Sequence, residues 1–366
     1  MPDPLRVGLI GANANAGWAA RAHLPALTNH PDVTLAAVCT TRMESAEEAR
    51  GRFGAELAFD DWHAMLERND VAAVCISLRV PNHLEPTLAA LAAGKHVYTE
   101  WPLGRGTAEA EAMAAAAKRA GTHTMVGLQS RRSAELGYIR EVIATGGIGE
   151  LVSVSMTQFV SGLTERPSSR TWMGDPLTGA NTLTISFGHA LDGVLTTVGG
   201  LAWVEAHIST EAKEWLETDT GKMVTTTAPD NVSMVGRLLT GPLLTCHVES
   251  MPWHGSGHRI EIYGREGSIV LEQRGASGPH TGRAKVFRAG RNDTDLAEVT
   301  IDDESWIADA QLAAAAVNVA KAWKAFAGAI ASDAAVAPTF ADAVAHHRLL
   351  DVIAFASKTG TRQTVS

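Results

Sequence analysis

A chain of 366 residues exceeds the size that one core usually serves, and 45% hydrophobic with 19% charged residues supply enough apolar surface for two soluble cores. A formal net charge of −9 argues against broad nucleic-acid affinity, and no apolar run reaches membrane-spanning length because Lys and Glu interrupt the alanine-rich stretches. The Met1-Pro-Asp-Pro start has neither the basic region nor the apolar core of a signal peptide, so we expect a cytoplasmic protein whose Cys39, Cys75 and Cys246 are reduced, buried thiols, with no metal site.

In chain order, Val7, Leu9 and Ile10 read as a strand covered on both faces, and Gly11-Ala-Asn13-Ala-Asn15-Ala16-Gly17 as a turn that opens a helix. Gly11 permits the tight turn, and the amides that follow at a helix N-terminus are able to hold the phosphate oxygens of a dinucleotide. Asn13 stands where the usual G-x-G-x-x-G has its second glycine and Gly17 comes one residue late, so the turn alone fits a ligand-free strand-turn-helix equally well.

Further strands over 34–39, 71–77, 96–100 and 122–128 alternate with helices over 16–28, 44–53, 82–93 and 107–120. That rhythm predicts a Rossmann domain, a doubly wound parallel sheet with helices on both faces, over residues 1–128. Ligands in such sheets bind beyond the carboxyl ends of the strands. The expected cofactor wall is therefore Gly11, Asn13, Asn15 and Ala16; Thr40, Thr41 and Arg42; Ser77, Leu78, Arg79 and His83; Glu100; and Gln129. An acid at the end of the second strand would hold ribose hydroxyls and mark NAD, whereas Thr40-Thr41-Arg42 suits a 2′-phosphate. Arg42 is equally able to stack on adenine or lie in solvent, so NAD and NADP both stay open.

After Gln129 the pattern changes to long alternating strands over 151–160, 202–210, 232–239, 242–250, 259–264, 268–273, 285–288 and 297–302. Thr240-Gly241 and Arg265-Glu266-Gly267 supply turn chemistry between them, and helices over 309–331 and 340–358 close the chain, Pro338 opening the last. The expectation is an α/β domain followed by an α+β domain at 129–366 with a large open antiparallel sheet and helices. One sheet face should pack on helices, leaving the other to line a pocket or a subunit interface.

Val7-Gly-Leu-Ile-Gly11, Val80-Pro-Asn-His83, Glu100-Trp-Pro102, Gly147-Ile-Gly-Glu150 and Pro338-Thr-Phe-Ala-Asp342 resemble the Gfo/Idh/MocA oxidoreductases, and the resemblance spans nearly the whole chain. Gly11-x-Asn13-x-x-x-Gly17-Trp18 with His23 and Pro25, Glu100-Trp101, Leu128-Gln-x-Arg131-x-Ser133 and Thr184-x-x-Phe187-Gly-His189 are similar to the branch that contains the yeast galactose-regulon repressor. The resemblance implies an NAD(P) cofactor, retained through the catalytic cycle in some relatives, sugar or cyclitol substrates, and homodimers or homotetramers formed through the sheet. It also implies that Glu100 lies beside the nicotinamide and that His83 packs near the cofactor. The alternatives for these two are a helix cap or a pair with Arg131 for Glu100, and a cap or core role for His83.

Two departures matter. Trp101 replaces the lysine of the family's usual Glu-Lys-Pro, and Ile185 replaces the aspartate four residues before the catalytic histidine, while His189 itself matches. His189, with an ordinary pKa near ~6.5, is then the candidate base that takes the hydroxyl proton as hydride leaves. Trp101 offers an apolar face to nicotinamide or sugar, or is a plain core tryptophan. Arg131, Arg132, Arg170 and Trp172 with His189 are the candidate substrate groups: the indole suits a pyranose ring, and guanidinium groups suit a carboxylate, phosphate or sulfonate. The same arginines are equally able to pair with Glu165 and Asp175. Three functions stay open: an NAD(P)-dependent sugar oxidoreductase, a glycosidase that oxidises a ring hydroxyl transiently, and a non-catalytic sensor of NAD(P) and sugar. The chain shows no basic patch or appended DNA-binding element.

Overall fold

The computed structural model describes residues 3–275, 277–304, 307 and 311–365. They fall into two compact units, one made of the chain up to Arg132 with Asp303–Ala345, the other of Ser133–Asp302 with the chain from His346 onward.

The first unit holds the expected parallel sheet. Runs rich in Val, Leu, Ile, Ala and Cys form β1 (Leu5–Ile10), β2 (Val33–Cys39) and β4 (Ala73–Ile76), and with β3 (Leu57–Phe59), β5 (His96–Glu100) and β6 (Thr124–Gly127) they make a sheet in the order β3-β2-β1-β4-β5-β6. All paired neighbours are parallel. Val7, Leu9 and Ala73–Ile76 are buried on both faces, which is why these strands read as continuous apolar runs. Strand order reverses between β1 and β4, whose ends pair Ile10 with Ile76 and open the ligand crevice of this fold. The helix expected over 16–28 starts later: Asn13 Oδ1 accepts from the amides of Asn15 and Ala16, which keeps that stretch a turn. A π-helical turn Ala19–His23 then leads into α1 (Leu24–Leu27). The remaining helices are α2 (Met43–Phe53), α3 (Trp62–Leu66), α4 (Leu84–Ala92) and α5 (Thr107–Ala120).

The second unit opens with α6 (Ala134–Ala144), N-capped by Ser133. Its main sheet comprises β7 (Leu151–Ser161), β9 (Leu201–Ser209), β12 (Asn231–Leu238), β13 (Leu243–Met251), β14 (Gly257–Gly264), β15 (Gly267–Gln273), β16 (Lys285–Gly290), β17 (Ala297–Val299) and β18 (Gln363–Thr364). The order is β17-β16-β15-β14-β7-β13-β12-β9-β18. The sheet is mixed rather than wholly antiparallel. β7 lies between β13 and β14, which run in opposite directions, so it pairs parallel with β13 and antiparallel with β14. One face buries Val154, Met156, Met234, Leu244, Cys246, Ile260 and Ile262. The other face carries Ser155, Thr157, Ser233, Val235, Thr245 and His247 around a shallow depression of about 390 Å³. A separate small sheet of β8 (Glu165–Arg166), β10 (Glu214–Glu217) and β11 (Met223–Thr225) was not expected, its strands being too short to show a period. A π-helical turn Thr182–Phe187, capped by Asn181, runs into α7 (Gly188–Val198).

Two helices follow, α8 (Ala314–Ser332) and α9 (Phe340–Thr359). The start expected at 309 lies outside the described residues. Residues 303–345, read from the sequence with the second domain, pack with the first unit: Trp323 and Phe326 of α8 are buried against Tyr98 of β5, with ring centroids 5.0 and 6.3 Å away. Among the described residues no helix is long and apolar enough to cross a membrane, and no cluster of side chains is arranged to hold a metal ion.

Candidate functional site

At the switch point the backbone is bare. Gly11 has φ +89°, and a Cβ built on it would lie 2.3 Å from the carbonyl oxygen of Ser77, so only glycine lets the ends of β1 and β4 close up. The amides of Asn15 and Ala16 converge on Asn13 Oδ1 at 2.9 and 3.0 Å, an arrangement an oxyanion is able to take over when that exposed side chain turns out. Asn15 Nδ2 donates to Glu48 and Arg52 donates to the carbonyl of Ala14, tying the loop to α2. The Thr40 hydroxyl is committed locally, to Ser45 Oγ at 2.6 Å and the carbonyl of Arg42 at 2.8 Å, while Thr41 and Arg42 are exposed at the end of β2. Ser77 and Leu78 are half-buried and Arg79 is exposed.

His83 is buried with both ring nitrogens at backbone carbonyls, Nδ1 at those of Pro102 and Leu103 and Nε2 at that of Leu78. It joins the segments that follow β4 and β5, and burial pushes its pKa down. Its place is behind the wall, where it positions the loops.

Glu100 closes β5 with its carboxylate almost fully buried. Oε1 accepts from His23 Nε2 at 2.6 Å and from Gln129 Nε2 at 3.0 Å, and Oε2 accepts from the same amide at 2.8 Å. His23 is held from its other side by the indole N–H of Trp323, 3.1 Å from Nδ1. An indole only donates, so Nδ1 carries the lone pair and Nε2 carries the proton: the imidazole is neutral and Glu100, surrounded by donors, is the carboxylate. Gly127 makes the room, since a Cβ there would meet Glu100 Oε2 at 2.3 Å. Tyr98 and Cys75 also lie in this pocket, and burial together with the charge of Glu100 holds both well above their ordinary pKa values.

Three of the expected substrate groups, Trp101, Arg131 and Arg132, take the core and pairing roles that the sequence leaves as alternatives. Trp101, followed by a cis peptide to Pro102, is 5% exposed, a core side chain with no open face. Arg131 pairs with Asp342 at 3.3 Å, and Arg132 donates to the carbonyl of Ala337 at 2.6 Å. Both arginines belong to the first unit and anchor its 337–342 segment. In the second unit Arg170 is exposed and Trp172 half-buried, both in the turn Ser168–Gly174. His189 lies in the first turn of α7, buried and stacked on His280 with centroids 4.0 Å apart and planes 1° from parallel. Its Nδ1 has no hydrogen-bond partner among the described residues. Burial and then the neighbouring His346 push its pKa to about 3, which corrects the ordinary value expected from sequence.

The N-terminal unit and the strands after it have counterparts among known proteins. Residues 5–128 match the oxidoreductase family with an NAD-binding Rossmann fold, and residues 135–273 match the C-terminal domain of Gal80p. The chain joins a Gfo/Idh/MocA NAD-binding domain to a Gal80-like C-terminal domain. It is 27% identical over 284 residues to dehydrogenase aclE of Aspergillus oryzae, covering 74% of this chain and 78% of that protein. Levoglucosan dehydrogenase of Pseudarthrobacter phenanthrenivorans is 29% identical over 292 residues, 73% of each chain. A super-repressor mutant of Gal80p from Saccharomyces cerevisiae superposes with a TM-score of 0.88 at 22% identity, over 99% of this chain and 98% of the other, which shows the shared fold.

The NAD-binding domain fits the dinucleotide its family carries: Gly11 leaves the cradle a Cβ would fill, and the amides after it point at a single oxygen. Reading the sequence located Gly11, Ser77, Glu100 and Gln129 in this unit. It missed Trp323 as a partner of the site and saw His23 only as part of a motif, because the bond between them spans 300 residues.

Proposed function

We propose that the protein is an NAD-dependent oxidoreductase that moves a hydride between a ring hydroxyl carbon of a sugar or sugar derivative and the nicotinamide. The observation that carries this is the buried Glu100 carboxylate at the end of β5, surrounded by donors alone. Its only ion-pair-distance partner among the described residues is the neutral His23. In a two-halved nucleotide fold the end of β5 belongs to the nicotinamide side, where an uncompensated buried negative charge favours a cationic ring. The relative named levoglucosan dehydrogenase supports a sugar as the substrate class.

The roles follow residue by residue. The amides after Gly11 would hold phosphate oxygens, and Arg42, whose backbone is bonded to Thr40 while the residue is exposed, would meet either adenine or a 2′-phosphate with its side chain. Bound NAD supplies a hydride acceptor. His189, neutral at physiological pH, presents an unpartnered Nδ1 to the substrate hydroxyl and takes its proton as the C–H hydride departs. A base held near 3 is weak, and Trp101 provides no replacement for the missing lysine, so slow turnover is expected. The open face of the main sheet, where Val235, Leu243 and Tyr263 are 39, 39 and 40% exposed, is the surface we assign to self-association.

That weak base favours a second reading, a non-catalytic sensor that reports NAD and sugar occupancy, which the match to the Gal80p C-terminal domain also supports. Purified protein incubated with NAD+ or NADP+ and a panel of sugars and aryl glycosides separates them, with reduced cofactor and released aglycone followed together. Stoichiometric reduced cofactor supports the oxidoreductase. Aglycone released without net reduction redirects the function to glycoside cleavage, and silence in both channels with cofactor bound supports the sensor.

A further inference from the structure

One cation in the second unit is left without the partner that burial normally demands. Arg166, at the end of β8, lies over the indole of Trp215 with its guanidinium carbon 4.2 Å from the ring centroid. Its Nε is buried and has no hydrogen-bond partner, and no carboxylate among the described residues pairs with it. The acids nearby are spent. Asp230 accepts the amides of Glu211 and Ala212 at 2.8 and 2.9 Å, Glu217 accepts the hydroxyls of Thr171 and Thr220 at 2.9 and 2.6 Å, and Asp219 accepts the amide and hydroxyl of Ser168 at 2.8 and 2.6 Å. Burial first, and then the charge of Arg170, push Arg166 down to about 10, with Asp230 opposing. Arg166 is half-buried, and withholding an acceptor from its buried Nε is costly, while placing a second arginine within electrostatic reach adds to the cost. An oxyanion relieves both.

We propose that Arg166, laid on Trp215 and flanked by Arg170, is a binding site for the oxyanion of a small-molecule ligand: a carboxylate, phosphate or sulfonate. The guanidinium fork matches two oxygens of such a group, and the indole holds the fork in one plane without competing for its protons. The site rests on the second unit alone and stands whether the protein is an oxidoreductase or a sensor.

Calorimetry and thermal unfolding of the full chain test it, using inorganic phosphate, sulfate, a sugar carboxylate, a sugar phosphate and a sugar sulfonate against chloride at matched ionic strength. At least one oxyanion should bind saturably and raise the melting temperature, and the tightest of them identifies the source of the charge. Arg166→Gln should weaken that binding about tenfold or more while melting, without anion, no lower than the natural protein. Binding that survives Arg166→Gln, no saturable binding by any probe, or a large anion-free loss of stability would make Arg166 a packing residue and overturn the site. Should Arg166→Gln fail to fold, Arg170→Gln at the exposed neighbour decides: anion affinity should fall about threefold or more, and unchanged affinity overturns the proposal.

Discussion

Trp323 Nε1 lies 3.1 Å from His23 Nδ1, and this bond decides where the proton of His23 sits. With Nδ1 occupied as an acceptor, Nε2 donates to Glu100 at 2.6 Å, and the carboxylate keeps its charge beside a neutral ring. Oxidised cofactor should therefore bind the natural protein about tenfold or more tightly than reduced cofactor, and Glu100→Gln should bring the ratio close to one, as measured by calorimetric titration. A ratio near one in the natural protein contradicts this role for Glu100.

Replacing Trp323 by Phe removes the donor but leaves an aromatic ring in the same core position. His23 Nδ1 then keeps only Cys75 Sγ, a weak donor 3.6 Å away, and is able to carry a proton, so that Glu100 either loses its Nε2–H donor or faces an imidazolium that cancels its charge. The preference for oxidised cofactor should then be smaller in Trp323→Phe than in the natural protein, as measured by calorimetric titration. Equal preferences in the two proteins would remove Trp323 from control of His23.

Gly127→Ala puts a methyl group where Glu100 Oε2 now sits, at 2.3 Å from the built Cβ. The carboxylate must leave the donors His23 and Gln129, each hydrogen bond to such a charged group being worth about 1.5–3 kcal/mol. We expect cofactor affinity to drop together with melting temperature, and titration of Gly127→Ala against Gly137→Ala, whose Cβ meets nothing within 4 Å, measures the effect. Equal affinity in the two variants counts against Glu100 as a cofactor contact.

Acid should destabilise the second unit through its buried histidines. Burial pushes His189 to about 3 and His258 to about 4 in the folded protein, below the ordinary value near ~6.5 that the unfolded chain retains. The unfolded state thus binds more protons between these values, so the stability is fully present above about 6.5 and is lost as pH falls toward 4. Each histidine should contribute a slope of about 1.4 kcal/mol per pH unit, and denaturant titrations from pH 7 to about 4.5 should show His258→Gln with the shallower dependence. An unchanged slope in that variant would mean His258 is protonated in the fold.

Much of the architecture was legible because burial writes itself into short-range pattern. β1, β2 and β4 appear as apolar runs covered on both faces, and β12 and β13 as alternation with one face inward. β3, β8, β10 and β11, of two to four residues, are too short to show either period. The strand-end rule located Gly11, Ser77, Glu100 and Gln129 without tertiary information. It had no means of seeing that Asp342 and the Ala337 carbonyl hold Arg131 and Arg132, because those partners lie more than 200 residues away. The fall of His189 to about 3 likewise depends on burial and on His346, neither of which leaves a local mark around position 189.

Transfer of label from sugar to cofactor tests hydride chemistry most directly. Protein loaded with oxidised cofactor is mixed with ring-deuterated sugars for a single turnover, and the nicotinamide is weighed by mass spectrometry. A sugar oxidoreductase delivers one deuterium to the cofactor, and His189→Asn slows that delivery without releasing the cofactor. Unlabelled cofactor that remains bound after exposure to every sugar in the panel would contradict hydride transfer.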